Sequence, residues 1–247
     1  MYYYVITLYA WLEALLSFII FFPIVIFIWI TTLPFDHNLR ILHVFTSIWG
    51  SLFTWVNPLW RVSIYGREKI LPKQTYIMVS NHQSIIDIWV VFRLFAHFKW
   101  IAKDSLFKIP IVGWTMALNR YISVKRGNKR SHLKMIKACE KNLENGNSLM
   151  IFPEGTRSED GKIQHFKDGA FLLAQSAQVP VLPIIIEGTA NALPKKGFVM
   201  KTKQSITITV LDPIPYSTFA NLTARELAEK VRSLMIKNLN HQINLSK

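Results

Sequence analysis

The chain has 247 residues, of which 51% are hydrophobic, and its formal net charge is +14. This length corresponds to one ordinary domain with an appendage, and the apolar content is high for a soluble enzyme. The only cysteine, Cys139, lies in a predicted helix, which excludes an intrachain disulfide and favours a buried structural thiol. A chain that is both apolar and basic favours an anionic membrane surface or anionic substrates.

Apolar residues and charges are segregated along the chain. Residues 1–60 contain Glu13, Asp36 and Arg40 as their only charged residues, together with five of the eight tryptophans. The apolar run 5–33 exceeds the roughly 20 residues that cross a bilayer, and a second, weaker segment covers 39–60. We therefore expect residues 1–60 to form a membrane-embedded helical pair, whether as a spanning hairpin or within one leaflet. The alternative is a pair of buried core helices.

The remaining residues, 61–247, carry nearly all of the positive charge. The positive-inside rule therefore favours the cytoplasmic side of a membrane for this part of the chain. A cleavable signal peptide is disfavoured, because no Lys or Arg precedes the first apolar run.

Residues 61–247 alternate between short apolar segments and amphipathic ones, which is typical of α/β domains. The predicted strands cover 61–65, 76–79, 99–102, 122–124, 148–152, 181–187 and 206–211. The predicted helices cover 84–96, 129–144, 169–178 and 223–242. We expect a mixed, mainly parallel sheet with helices on both faces.

The segment NHQSIID follows the predicted strand 76–79 and places His82 five residues before Asp87. A histidine whose second nitrogen is held by a carboxylate suits general-base catalysis near neutral pH. Five residues do not share one helical face, so we expect His82 in a loop and Asp87 in the first turn of the next helix. Ser84 is the expected N-cap of that helix. The alternative is that His82 caps the helix and Asp87 interacts with its dipole.

The segment FPEGTRS follows the predicted strand 148–152 and contains Glu154, Gly155, Thr156 and Arg157. The planar guanidinium of Arg157 suits a phosphate group. Gly155 would let the backbone approach a ligand closely. Strand ends of this kind are the usual place for a site in an open α/β sheet.

Together, the two segments resemble the signature of the glycerolipid acyltransferases, most closely the 1-acylglycerol-3-phosphate acyltransferases. Residues 100–110, WIAKDSLFKIP, are similar to the second block of that family, and residues 179–184, VPVLPI, to its fourth. The resemblance covers residues 61–215, with the blocks in the family's order. A His and an Asp five residues apart are unspecific alone, whereas the seven-residue block is specific.

The resemblance implies an acyltransferase catalytic domain over 61–247, preceded by anchoring helices over 1–60. It implies transfer of a fatty acyl group from acyl-CoA or acyl carrier protein to the sn-2 hydroxyl of 1-acylglycerol 3-phosphate (lysophosphatidic acid), forming phosphatidic acid. His82 and Asp87 would be catalytic, with the substrate hydroxyl in the place of a serine nucleophile. We expect neither a cofactor nor a metal site, because no two histidines have helical ligand spacing.

The acceptor phosphate requires cations. Arg157 is the first candidate. The resemblance adds Lys103, which lies in the second block, and Arg126, which corresponds to the basic residue after the next strand. The family more often has an acid where Lys125 stands, which leaves the role of Arg126 open. Glu154 would accept a hydrogen bond from the glycerol part. The alternative for Lys103 and Arg126 is a solvated basic surface.

A larger basic cluster surrounds these positions and consists of Arg120, Lys125, Arg126, Lys129, Arg130, Lys134 and Lys137. It could bind anionic lipid headgroups, the acidic surface of acyl carrier protein, or the phosphates of coenzyme A. Nucleic acid is disfavoured, because no nucleic-acid-binding motif is present.

Two further functions remain open at this stage. One is a related acyltransferase acting on glycerol 3-phosphate or another lysophospholipid. The other is a non-catalytic lipid-binding scaffold, against which the presence of His82, Asp87 and Glu154 argues. The expected location is a membrane, with the catalytic domain facing the cytoplasm, as at a bacterial inner membrane.

Overall fold

A computed structural model describes residues 2–125, 127–194, 199–200 and 203–245, with side chains as far as residue 240. The described strands are β1 (Trp60–Tyr65), β2 (Ile77–Ser80), β3 (Phe98–Lys103), β4 (Ile122–Val124), β5 (Ser148–Ile151), β6 (Val181–Glu187) and β7 (Gln204–Val210). The described helices are α1 (Tyr2–Thr32), α2 (Arg40–Trp55), α3 (Ile86–Phe92), α4 (Val112–Leu118), α5 (Lys129–Glu144), α6 (Gly169–Ser176), α7 (Thr189–Ala192) and α8 (Ala224–Leu245).

The described strands form one sheet in the order β1-β7-β6-β2-β5-β3-β4. Neighbouring strands run parallel except β6 and β7, so β7 and β1 run opposite to the other five. This is the mixed, mainly parallel sheet that the sequence predicts, and the prediction is confirmed. The carboxyl ends of β6, β2, β5, β3 and β4 lie along one edge, which we call the C-terminal edge of the sheet.

Each face of the sheet carries its own apolar core, because successive side chains of a strand point to opposite faces. On β2, Met78 belongs to a core shared with α3, whereas Ile77 and Val79 belong to a core shared with α5, α6 and α8. Cys139 of α5 is buried in the second core, and this burial raises the pKa of its thiol to about 12. The cysteine is therefore structural, as predicted.

The N-terminal helices α1 and α2 pack against each other, and α2 packs against α3. The Phe18 and Trp49 rings meet edge to face at 5.4 Å, and Trp49 Nε1 donates to Ser17 Oγ at 3.0 Å. Phe53 of α2 stacks on Trp89 of α3 at 4.8 Å. Helices α1 and α2 therefore lie on the same face of the sheet as α3.

Only α1, with 31 residues, is long and apolar enough to cross a membrane among the described helices. The prediction of a second segment over 39–60 is wrong in length, since α2 has 16 residues and extends about 24 Å. It ends at Trp55, shortly before Pro58, because a proline disfavours helical backbone in the residue before it. Both helices nevertheless expose apolar side chains, including Leu8, Leu12, Ile19, Phe27, Ile41 and Val44.

Polar contacts also connect the N-terminal helices to the rest of the chain. The buried Lys99 of β3 donates to the carbonyl oxygen of Asn38 at 2.8 Å, and His43 Nδ1 lies 3.0 Å from the Tyr121 hydroxyl. Burial lowers the pKa of Lys99 to about 8. Residues 1–60 are thus packed onto the sheet domain, and a boundary at residue 60 stays a prediction.

Candidate active site

His82 lies in the loop that follows β2 at the C-terminal edge of the sheet. Its Nδ1 is 2.7 Å from Asp87 Oδ2, and its side chain is 16% exposed. The same carboxylate oxygen accepts hydrogen bonds from the main-chain N–H groups of Gln83 and Ser84, at 2.6 and 2.8 Å. An ionised carboxylate only accepts, so we assign the proton to Nδ1, which leaves Nε2 as a proton acceptor.

Asp87 lies in the first turn of α3, as predicted, and its side chain is fully buried. The helix begins at Ile86, two residues after the predicted start, and the Ser84 hydroxyl oxygen accepts only a long hydrogen bond of 3.4 Å from the Ile86 N–H. The Ser84 hydroxyl instead donates to the carbonyl oxygen of Leu193 at 2.6 Å. The Asp87 carboxylate binds the main-chain N–H groups of Gln83 and Ser84, so it holds the loop in a tight turn. This turn sets the position of His82.

The loop is further tied to the neighbouring strand β6 through Asn81. The Asn81 side chain donates to the carbonyl oxygen of Ile186 and accepts from the N–H of the same residue, both at 2.8 Å. These two side-chain bonds take the place of main-chain pairing with β6 just beyond the end of β2. The loop containing His82 thus begins at a fixed position.

The aromatic ring of Phe152, at the end of β5, holds the plane of the His82 ring. The two ring centroids are 4.0 Å apart with an interplanar angle of 10°. Trp100 of β3 packs behind Phe152, with centroids 5.4 Å apart. The imidazole is therefore oriented by Asp87 at its edge and by Phe152 at its face.

Glu154 connects the two loops. Its Oε1 accepts from the main-chain N–H of His82 at 3.0 Å, and the N–H of Ser158 donates to the carbonyl oxygen of His82 at 2.7 Å. Glu154 is 4% exposed, and its Oε2 has no hydrogen-bond partner among the described residues. Burial raises the pKa of Glu154 to about 7, against the opposing effect of the His82 amide.

Gly155 adopts a φ of +71°, a backbone conformation that favours glycine. A Cβ placed there would lie 2.9 Å from Nζ of Lys167, whose main-chain N–H donates to the carbonyl oxygen of Pro153 at 3.0 Å. The backbone at Gly155 therefore lies close to the side chain of Lys167, and its predicted close approach to a ligand stays a prediction. Thr156 is exposed and Arg157 is partly buried in the same loop.

Of the two remaining predicted cations, the structure describes only Lys103. Lys103 is exposed at the end of β3, two strand positions from β2, which corresponds to about 10 Å. Arg126 lies outside the described residues. The structure thus joins His82, Asp87 and Glu154 by hydrogen bonds and sets Lys103 along the same edge.

Three residues that contact the site were not predicted from the sequence: Phe152, Ser158 and Lys167. Phe152 precedes the polar residues of the FPEGTRS segment, and its position directly after a buried strand was an available signal. Ser158 ends the same segment, and its amide binds the His82 loop. Lys167 lies 12 residues beyond Gly155, and nothing local in the sequence indicates their contact.

The described residues contain no group of three His, Cys, Asp or Glu side chains arranged to hold a metal ion. What the site offers chemically is an oriented imidazole with an accepting nitrogen, next to a loop that bears an arginine. The expectation of a reaction without a cofactor stays a prediction.

Comparisons with known proteins match this arrangement. Residues 61–187 match the Acyltransferase family. A 1-acyl-sn-glycerol-3-phosphate acyltransferase from Chlamydomonas reinhardtii is 36% identical over 209 residues, 84% of this chain and 61% of that protein. One from Saccharomyces cerevisiae is 34% identical over 183 residues, 72% of this chain and 59% of that protein. The chain therefore spans less than two thirds of the length of these two relatives.

The fold is also similar to a solved structure. The crystal structure of the 1-acyl-sn-glycerophosphate acyltransferase PlsC from Thermotoga maritima matches with a TM-score of 0.80 and 26% identity. The match covers 96% of this chain and 95% of that one, so it includes the N-terminal helices as well as the sheet.

Proposed function

This chain belongs to the acyltransferase family, and we propose that it transfers a fatty acyl group from an acyl thioester to the sn-2 hydroxyl of 1-acylglycerol 3-phosphate. The product is phosphatidic acid. The observation that carries the proposal is the 2.7 Å contact between His82 Nδ1 and the buried carboxylate of Asp87. It leaves Nε2 unprotonated and fixed in direction, as a base for an alcohol must be.

The reaction needs one proton acceptor and no covalent enzyme intermediate. His82 Nε2 takes the proton of the sn-2 hydroxyl as that oxygen attacks the thioester carbonyl carbon. The tetrahedral intermediate collapses with cleavage of the C–S bond, and the leaving thiolate receives the proton from His82. Asp87 stabilises the imidazolium formed between the two steps. General-base catalysis of this kind contributes roughly 10²–10⁴-fold.

The acceptor phosphate is bound by cations of the same edge in this proposal. Arg157 lies in the loop that Glu154 and Ser158 attach to His82, so a phosphate held there lies at a fixed distance from the base. Lys103 would add charge from the end of β3, and Lys167 from across Gly155. Arg126 is predicted from the sequence to contribute as well. Glu154, with one oxygen lacking a described partner, would accept a hydrogen bond from the glycerol hydroxyl.

The protein is proposed to be membrane-bound through α1 and α2, with the sheet domain on the cytoplasmic side, as at a bacterial inner membrane. The long apolar α1 and the exposed apolar side chains of both helices support membrane association. Full-length protein should stay with the membrane fraction in high salt and in alkaline carbonate, because apolar burial is not screened. Release by salt alone would contradict the anchor.

The activity is tested with purified full-length protein in detergent. Lysophosphatidic acid and palmitoyl-CoA or palmitoyl-acyl carrier protein are supplied, and products are identified by mass spectrometry, with His82→Ala as the control. The expected product is phosphatidic acid with the new acyl group at sn-2, absent with the variant. Acylation of glycerol 3-phosphate or of a lysophospholipid without a free phosphate, in place of lysophosphatidic acid, would overturn the acceptor assignment.

A further inference from the structure

A row of cations runs along the exposed side of α5. Arg130, Lys134, Lys137 and Lys141 recur at helical spacing, so they project from one side of the helix, and all four are exposed. Leu133, beside the row, is 61% exposed. We call these four cations the α5 basic stripe. It extends about 17 Å along the helix axis.

Part of the stripe is placed unfavourably for its own helix. Arg130 and Lys134, and Lys137 and Lys141, are like-charged pairs at i,i+4, which oppose helix formation. The first turn contains no acidic residue and begins with Lys129, although the positive end of the helix dipole favours acids there. In the part of the chain that the structure describes, no carboxylate forms an ion pair with a stripe cation. Such a local cost is typical of a surface that binds an anionic partner.

The position of α5 separates this surface from the proposed membrane anchor. Cys139 and Leu143 of α5 pack into the core shared with α6 and α8, whereas α1, α2 and α3 lie on the opposite face of the sheet. The sheet therefore stands between the stripe and the apolar helices. The stripe and the apolar side chains of α1 and α2 therefore belong to opposite faces of the sheet.

The helix also begins close to the candidate active site. It follows β4 after a short turn, and the end of β4 belongs to the C-terminal edge of the sheet. Three strand spacings, about 14 Å, separate β4 from β2, after which His82 lies. A partner docked along α5 is therefore within reach of the site for a flexible arm that carries an acyl group.

We propose that the α5 basic stripe docks an acidic helical carrier protein that delivers the acyl thioester to His82. This inference rests on the proposed acyl transfer and names the protein that supplies its donor. A row of four cations over about three helical turns fits the side of an acidic helix better than the compact phosphates of a nucleotide. The exposed Leu133 offers an apolar contact beside the charges, as the centre of a protein interface requires.

The test compares two charge-reversal variants of the full-length protein in detergent. The stripe variant is Lys134→Glu with Lys137→Glu, which creates favourable i,i+4 pairs with Arg130 and Lys141 and so should not impair folding. The matched control is Arg61→Glu with Lys237→Glu, two exposed cations on β1 and α8 with the same change in charge. Turnover is measured with palmitoyl-acyl carrier protein and with palmitoyl-CoA, and carrier binding is measured directly by surface plasmon resonance at two salt concentrations.

The stripe variant should lose at least about tenfold in kcat/KM with the carrier-bound donor and in carrier affinity, with turnover of palmitoyl-CoA changed less than about twofold. The control should behave like the wild type. Equal losses with both donors, or equal effects of the two variants, would overturn the docking role, as would wild-type protein that binds no carrier. Salt-sensitive carrier binding without turnover on either donor would support the stripe while contradicting the proposed acyl transfer.

Discussion

The C-terminal edge of the sheet has two parts that differ in how firmly their polar groups are held. After β2 and β5, the amide, the carbonyl and the ring of His82 are all hydrogen-bonded, to Glu154, Ser158 and Asp87. Lys103, at the end of β3, and Lys167 are instead exposed. A proton transfer requires a fixed geometry, whereas a phosphate can be bound by mobile cations. Changes in the fixed part should therefore affect kcat, and changes among the cations should affect KM for the acceptor.

The largest effect is expected in the fixed part, for Asp87→Asn. The amide can present its NH₂ group to His82 and so favour the wrong tautomer, which should lower kcat by roughly 10²–10⁴-fold. The KM for lysophosphatidic acid should change little. Steady-state kinetics at neutral pH measure this, with thermal unfolding as the control for folding. A folded variant with only a few-fold loss would reduce Asp87 to a helix-stabilising residue.

A smaller effect is expected for Arg157→Ala. Loss of a charge-assisted contact, about 1.5–3 kcal/mol, should raise KM for the phosphorylated acceptor roughly 10- to 100-fold. The KM for the acyl donor should stay unchanged. Arg157→Lys should recover part of the affinity for the acceptor, because lysine keeps the positive charge but lacks the planar guanidinium that binds two phosphate oxygens at once. Kinetics with each substrate varied in turn separate the two constants. Equal increases for donor and acceptor would assign Arg157 to support of the loop.

Lys167→Ala should have a weaker effect of the same kind. The ammonium is exposed, so solvent screens it, and a contribution below about 1 kcal/mol corresponds to a rise of two- to fivefold in KM for the acceptor. The exposed Lys162 provides the control, because Lys162→Ala removes the same charge a few residues away. If both variants shifted KM equally, Lys167 would act only through the overall charge of the surface.

The smallest effect concerns stability and tests how firmly Glu154 is buried. Its pKa is raised from 4.5 to about 7, so between these values the folded protein holds a proton that the unfolded chain releases. This group therefore makes the protein less stable as pH rises through that window. The Tm of the wild type relative to Glu154→Gln should fall between about pH 4.5 and 7 and level off above it. A constant difference across this range would show that Glu154 titrates normally.

The sequence predicted the parts of this site that are local. The spacing of five residues predicts His82 in a loop and Asp87 at a helix start, because five residues do not share one helical face, and the structure bears this out. The Ser84 cap is weak because the Ser84 hydroxyl donates to the carbonyl oxygen of Leu193, which leaves only a long bond of 3.4 Å from the Ile86 N–H. A local sequence pattern does not reveal an acceptor 109 residues away.

Contacts between distant segments were beyond the sequence. The bond from the His82 amide to Glu154 joins residues 72 positions apart, and it exists only because β2 and β5 are neighbours in the sheet. The contact of Lys167 with Gly155 depends likewise on how the intervening loop returns. The predicted role of Arg126 lies outside the described residues and stays a prediction.

The most direct test of the account is a single-turnover measurement on His82→Ala with saturating lysophosphatidic acid and a bound acyl thioester. Lysophosphatidic acid binding to the same variant is measured in parallel by calorimetry. We predict that the variant binds lysophosphatidic acid within about twofold of the wild-type affinity and that its acyl-transfer rate is lowered roughly 10²–10⁴-fold. The reason is that His82 accepts the proton in the transition state and does not bind the acceptor in the ground state. A rate above about a tenth of the wild-type value, with binding intact, would contradict the assignment of His82 as the base.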